Sequence, residues 1–220
     1  MITLHHCHDT RSMRVLWLLN ELDLTYTLSV YPFDATLRSP AYLTLNPVGR
    51  VPTIEIDGET IWESGAILEF LCERFPERGL GRLPGDIDRP DYLIWLHFAE
   101  TVSHHVGALI QQHMVLDDTV RSPTLMKIEA ARLAKCYGAI EARLSTPLEN
   151  RDYLLTSGFS AADIACGQAV YMARHFLPLD AFPETAAWYD RLTERPGFVA
   201  ALPPEDVQRI FTQAYYPVPD

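Results

Sequence analysis

The apolar positions change rhythm along the chain. Residues 2–6 alternate apolar with polar, the two-residue period of a strand, whereas Val15, Leu18, Leu19 and Leu22 recur on one face of an amphipathic helix over 14–22. Residues 25–31 predict a second strand. Residues 51–56 alternate, turn at Asp57-Gly58 and return through 60–62, which is a hairpin signal, and Ser64 then opens a helix through Ile67, Leu68 and Leu71 to Phe75. The order is β-α-β, an irregular loop, then β-β-α. From Pro76 to Pro90 the sequence concentrates prolines and glycines that stop both helices and central strands. Beyond it, residues 91–116, 123–144, 161–176, 184–195 and a shorter piece at 206–214 read as helices. The expected architecture is α/β plus all-α: a small α/β domain at 1–78, a linker at 79–90 and a helical bundle at 91–220. Neither an internal repeat nor a low-complexity tract is present.

Composition narrows the function classes. A chain of 220 residues can bury a sizeable core, and 48% apolar with 10% aromatic residues describes a folded chain. Eighteen Lys and Arg against 29 Asp and Glu leave a net charge of −11, which argues against a surface for nucleic-acid phosphates while leaving room for a local positive spot that takes a small anion. The 21% charged share is below the usual quarter and suggests that a partner covers one face. Cys7, Cys72, Cys136 and Cys166 lack the paired spacing of zinc ribbons or dithiol redox motifs, which fits a reducing compartment. With no leader-like start and no apolar run of membrane-spanning length, the expectation is a cytoplasmic protein without a membrane partner.

Three short segments carry chemistry. In Asn46-Pro47-Val48-Gly49-Arg50-Val51-Pro52, a proline opens a strand after a structured loop. Such a proline is a candidate for the cis isomer, with the main chain of Val51 turned out to pair with a peptide-like ligand; the alternative is an ordinary loop ending in an edge strand. At Glu63-Ser64 a helix begins. Its unpaired N–H groups and the Ser64 hydroxyl suit a carboxylate, and Glu63 beside them suits an ammonium, so that one α-amino acid head group satisfies both; the alternative is a plain cap by Ser64. In Asp9-Thr10-Arg11-Ser12, where the first strand turns into the first helix, Thr10 and Ser12 are hydroxyls at a helix start. Either hydroxyl could stabilise a bound thiolate, lowering its pKa by about one to two units, or merely cap the helix.

Taken in order, with Val15-Leu16-Trp17-Leu18-Leu19-Asn20-Glu21-Leu22 after the turn and Phe159-Ser160-Ala161-Ala162-Asp163-Ile164-Ala165 further on, these segments resemble a cytosolic glutathione transferase over nearly the whole chain. The resemblance implies a thioredoxin-like domain that binds glutathione, an all-helical domain that shapes a site for an electrophile, and a homodimer. It assigns main-chain pairing with glutathione to Val51, the cis-proline to Pro52 and the γ-glutamyl head to Glu63 and Ser64. Arg50 stands where the family often has lysine or glutamine, and Arg38 is a candidate for the glycine carboxylate. The thiolate-activating position falls on Thr10, with Ser12 in reserve; the family more often has serine, tyrosine or cysteine there, and threonine adds a methyl that restricts its rotamer. In the first helix of the second domain, Thr101 and His104 share a face and are candidates for the electrophile site.

The implied activity is attack of a glutathione thiolate on hydrophobic electrophiles or organic hydroperoxides. A thiol reductase using Cys7 and a non-catalytic glutathione-binding protein are the alternatives. Ser160 and Asp163 read as a capping pair that serves folding. A metal site is not expected, because His5-His6 and His104-His105 are adjacent pairs whose rings should not point one way and no His-Glu-x-x-His occurs.

Overall fold

The computed structural model describes residues 1–146 and 151–218. Four strands, β1 (Ile2–His6), β2 (Tyr26–Val30), β3 (Thr53–Ile56) and β4 (Glu59–Trp62), form one sheet of order β2-β1-β3-β4. β1 runs parallel to β2, with Leu4 opposite Leu28, and antiparallel to β3, with Leu4 opposite Ile54. The two inner strands carry the fully buried Leu4 and Ile54, and the hairpin to β4 turns through left-handed Asp57 and Gly58. Helices α1 (Ser12–Glu21) and α3 (Ser64–Arg74) bury Val15, Leu18 and Leu19, and Ile67, Leu68 and Leu71. The βαβ-ββα order is that of a thioredoxin-like domain. The irregular loop between β2 and β3 holds a 3-10 turn (Ala35–Arg38) and the single-turn α2 (Pro40–Leu43), started by Ser39 and Asp34 side chains that accept backbone N–H groups.

The helices that follow are α4 (Arg89–Ile110), α5 (Pro123–Leu144), α6 (Ala161–Ala173), α7 (Pro183–Thr193) and α8 (Pro196–Ala201). α6 is buried along its whole length, and Ser160 and Asp163 close a reciprocal capping box at its start. The Asp163 carboxylate also accepts from Leu154 N (2.9 Å) and Trp188 Nε1 (3.0 Å). Burial raises its pKa against the pull of these donors.

Contacts divide the chain into two compact units, Met1–Arg89 with Thr193–Ile210, and Pro90–Leu192 with the chain from Phe211. The expected unbroken helical domain at 91–220 is therefore interrupted. α8, which the apolar pattern did not reveal, belongs to the first unit because Phe198 meets Trp17 edge-on (5.0 Å) and Arg195 clasps Glu21 through Nε (2.8 Å) and Nη2 (2.7 Å). Gly197 leaves room for the Glu21 side chain there, since a Cβ would lie 2.7 Å from Glu21 Oε1.

The helix expected at 206–214 does not form. Arg209 donates to both oxygens of Asp9 (2.7 Å each) and the Ile210 N–H donates to Asp9 Oδ2 (3.0 Å), so this stretch spends its donors on a distant residue. Further on, Tyr216 Oη accepts from Thr212 N (2.9 Å) and Gln213 N (3.2 Å), which holds that backbone in a turn instead of a helical ladder.

Candidate functional site

A cleft of the first unit lies where the loop before β3 meets the start of α3. Its shape comes from a hydrogen-bonded loop. Asn46, nearly fully buried, donates through Nδ2 to Arg50 O (2.8 Å) and Thr53 Oγ1 (3.2 Å) and accepts from Val48 N (3.0 Å). Tyr42 Oη donates to the same Arg50 carbonyl (2.8 Å). Gly49 permits the turn at φ 67°, and a Cβ there would sit 2.8 Å from Leu37 O. The Val51–Pro52 peptide is cis. Among the described residues, no hydrogen bond to the main chain of Val51 occurs.

Opposite the loop, Glu63 is exposed and has φ 76° and ψ 116°, a conformation that costs a non-glycine residue roughly 1–3 kcal/mol and that clusters at functional sites. Sequence reasoning made Ser64 the cap of α3. In the structure Glu63 holds the cap position without a side-chain cap hydrogen bond, Ser64 is the first helical residue, and the buried Ser64 hydroxyl accepts from Arg14 Nη1 (3.1 Å). Arg14 is itself 1% exposed. A cation among the apolar residues of α1 is the sequence signal for this contact.

Arg50, Val51, Pro52, Glu63 and Ser64 thus come together in one cleft, with Arg11 and Asn46 as lining residues that the pattern did not single out. Arg38 is exposed at the end of its 3-10 turn and does not line the cleft. Thr101 and His104 are exposed residues of α4, in the second unit.

The turn between β1 and α1 separates the two candidate hydroxyls. Ser12 is wholly buried; its Oγ accepts from Cys7 N (3.1 Å), lies 2.8 Å from His6 Nδ1 and contacts Cys7 O (3.1 Å). Thr10 is half-buried beside the lining residue Arg11; its Oγ1 donates to Cys7 O (2.7 Å) and lies 2.8 Å from Ser12 Oγ. Asp9, left-handed at φ 57° and bound to Arg209, fixes the turn. Cys7 is 3% exposed, and burial with the nearby Asp9 and Asp34 pushes its thiol up to about 11, so that it stays protonated near neutrality. That environment disfavours Cys7 as a nucleophile.

The adjacent rings of His104 and His105 do approach, at 5.3 Å and nearly perpendicular, and ligand atoms of both lie within 4.8 Å of one on Glu129, contrary to the expectation that neighbouring rings diverge. Rotation about the side-chain bonds suffices to bring them together. Glu129 is already engaged by His105 Nδ1 (2.7 Å) and Arg132 Nη1 (2.6 Å), and this guanidinium opposes a cation.

Comparison with known proteins gives this geometry its context. The family model described as the Glutathione S-transferase N-terminal domain matches residues 10–74, and that of the Glutathione S-transferase C-terminal domain matches residues 105–196. Glutathione S-transferase 3 of Zea mays is 30% identical over 207 residues, covering 87% of this chain and 89% of the relative. The chain belongs to the glutathione S-transferase family. Glutathione S-transferase 3 of Schizosaccharomyces pombe is 28% identical over 94% of this chain and 89% of its own length. Among solved structures, the glutathione transferase URE2P6 from Phanerochaete chrysosporium, in complex with oxidized glutathione, superposes with a TM-score of 0.80 at 26% identity, covering 91% of this chain and 94% of that one. The stretch matched to the glutathione S-transferase N-terminal domain takes in Thr10, the cis-proline loop and the start of α3. Among the described residues no helix is long and apolar enough to cross a membrane.

Proposed function

We propose that this chain is a glutathione transferase that binds glutathione in the cleft of its first unit and activates the thiol through Thr10. The observation that carries the reading is the convergence, in one cleft, of the unpartnered Val51 main chain, the strained and exposed Glu63, the α3 start at Ser64 and the cations Arg11 and Arg50. Glutathione offers an ammonium for Glu63, a carboxylate for the N–H groups at the start of α3, a peptide group for Val51 and a second carboxylate for Arg50 or Arg38. The oxidized-glutathione complex of URE2P6 supports the same ligand.

Thr10 is the preferred hydroxyl because it is half-buried, whereas Ser12 is fully enclosed among Cys7 and His6. A hydrogen bond from Thr10 to the thiolate, about 1.5–3 kcal/mol, lowers the thiol pKa by about one to two units. The bound sulfur is then ready to attack a hydrophobic electrophile or an organic hydroperoxide. Thr101 and His104 belong to this proposal as contacts of the electrophile, and a cytoplasmic homodimer is its assembly. The decisive experiment pairs calorimetric glutathione binding with the bound thiol's pKa, read from thiolate ultraviolet absorbance. Thr10→Ala should retain binding, raise that pKa and slow conjugation about tenfold or more at neutral pH; unchanged pKa and turnover would rule Thr10 out. Binding without turnover across a panel of electrophiles would reduce the protein to a glutathione binder.

A further inference from the structure

Three side chains stand in series behind Thr10. His8 Nδ1 lies 3.1 Å from His6 Nε2, His6 Nδ1 lies 2.8 Å from Ser12 Oγ, and Ser12 Oγ lies 2.8 Å from Thr10 Oγ1. The first two rings meet edge to face at 4.9 Å. His6 is 1% exposed, and burial together with His8 holds its pKa down to about 3, so it is a neutral imidazole with a single ring proton. His8 is also shifted down by burial, with Asp9 and Arg209 acting on it in opposite senses.

Counting protons gives the series a direction. Both hydroxyls reach the Cys7 carbonyl, Thr10 at 2.7 Å and Ser12 at 3.1 Å, and each has one proton to donate. If His6 carries its proton on Nε2, its Nδ1 accepts the Ser12 proton. Thr10 is then the hydroxyl that serves the Cys7 carbonyl, and turning it toward a ligand deprives a part-buried acceptor. If His6 carries its proton on Nδ1, it donates to Ser12, which already accepts from Cys7 N, and the Ser12 proton is left to be shared between the Thr10 oxygen (2.8 Å) and the Cys7 carbonyl (3.1 Å). The complementary contact on the other side is His8 Nδ1–H donating to His6 Nε2.

We infer that His6 is a positioning residue for the thiol chemistry: by donating from Nδ1 to Ser12 it lets Ser12 replace Thr10 at the Cys7 carbonyl, so that Thr10 can aim its proton at the glutathione sulfur. The inference rests on Thr10 being the thiol donor. It adds a tautomer requirement that a packing histidine does not have.

The test uses the whole protein with glutathione bound. In a sample labelled with ¹⁵N-histidine, the His6 ring in the complex should be protonated on Nδ1; an Nε2–H ring in the complex overturns the inference, with no variant needed. Asparagine places its amide nitrogen where Nδ1 stood, and glutamine places its amide nearer the Nε2 position. His6→Asn should therefore keep the bound-thiol pKa near that of the parent. His6→Gln should raise it by about one unit and lower conjugation at neutral pH about tenfold. Equal behaviour of the two variants counts against the inference. Thr10→Ala separates the two ideas: if it raises the bound-thiol pKa while His6→Gln does not, only the role of His6 falls. If Thr10→Ala leaves that pKa unchanged, the choice of Thr10 falls and the relay falls with it.

Discussion

Replacing Asp163 by alanine should cost the protein far more than one side-chain contact. The carboxylate is fully enclosed and accepts from Leu154 N, Trp188 Nε1 and Ser160 N at 2.9 to 3.0 Å, with Ser160 Oγ at 3.2 Å. A methyl group leaves three buried N–H donors without their acceptor, and each orphaned donor costs about 1–3 kcal/mol. Removing a buried charge offsets part of this, as the raised pKa of Asp163 indicates. The net loss should be about 3–5 kcal/mol, within the range for a broken buried network. With a urea m-value near 3 kcal/mol/M for a chain of this size, that is a fall of more than about 1 M in the unfolding midpoint. Tryptophan fluorescence at fixed protein concentration reads it, because the indole of Trp188 is one of the donors. Asp163→Asn keeps an oxygen for Leu154 and Trp188 but turns an NH₂ toward the Ser160 N–H, so its midpoint should fall between the two. An Asp163→Ala midpoint within about 0.3 M of the parent, at unchanged slope, would refute the reasoning that this carboxylate organises the start of α6 and its neighbours.

Acid should expose the burial of His6. Its folded pKa of about 3 is below the unfolded value near 6.5, so the stability it contributes is complete above about pH 6.5 and is lost as pH falls toward 3. Its loss should approach about 4 kcal/mol, and urea midpoints from pH 7 to 4 should decline more steeply in the parent than in His6→Asn; parallel slopes would contradict the shift. Gly49→Ala should destabilise by about 2 kcal/mol and weaken glutathione binding, since φ 67° and the approach to Leu37 O both oppose a methyl; an unchanged calorimetric affinity and melting temperature would count against that view of the loop. Cys7→Ala should leave thiol-reductase turnover, if any is measured, unaltered, and mass spectrometry should find no glutathione adduct on Cys7 in the parent; an adduct that disappears in the variant would restore the reductase mechanism.

What could be read from sequence, and what could not, follows the distance over which each feature is determined. α3 buries one face, α1 repeats its apolar residues at helical spacing although all of 12–19 is buried, and the β3–β4 hairpin turns at its local Asp57-Gly58 signal, so neighbouring residues report each of them. The cis-proline loop was legible for the same reason, since Asn46, Gly49 and Pro52 lie within a few residues and shape one another. The expected helix at 206–214 failed because its donors belong to Asp9, 200 residues away, and no periodicity encodes a partner that remote. Ser64 looked like a cap by its neighbours and became a ligand of Arg14, 50 residues earlier. Thr10 and Ser12 could not be told apart in one dimension, since both are hydroxyls at the same helix start. The fold divides them through burial: α1 begins at Ser12, which puts that hydroxyl under the strand with His6 and leaves Thr10 on the half-open side of the turn. Threonine at the outer position keeps a proton to donate, and serine at the inner one fits beneath it without a methyl, in a space that is wholly buried. The two residue types are therefore not interchangeable. Exchanging them, Thr10→Ser with Ser12→Thr, should cost stability through the inner methyl even though both hydroxyls are kept.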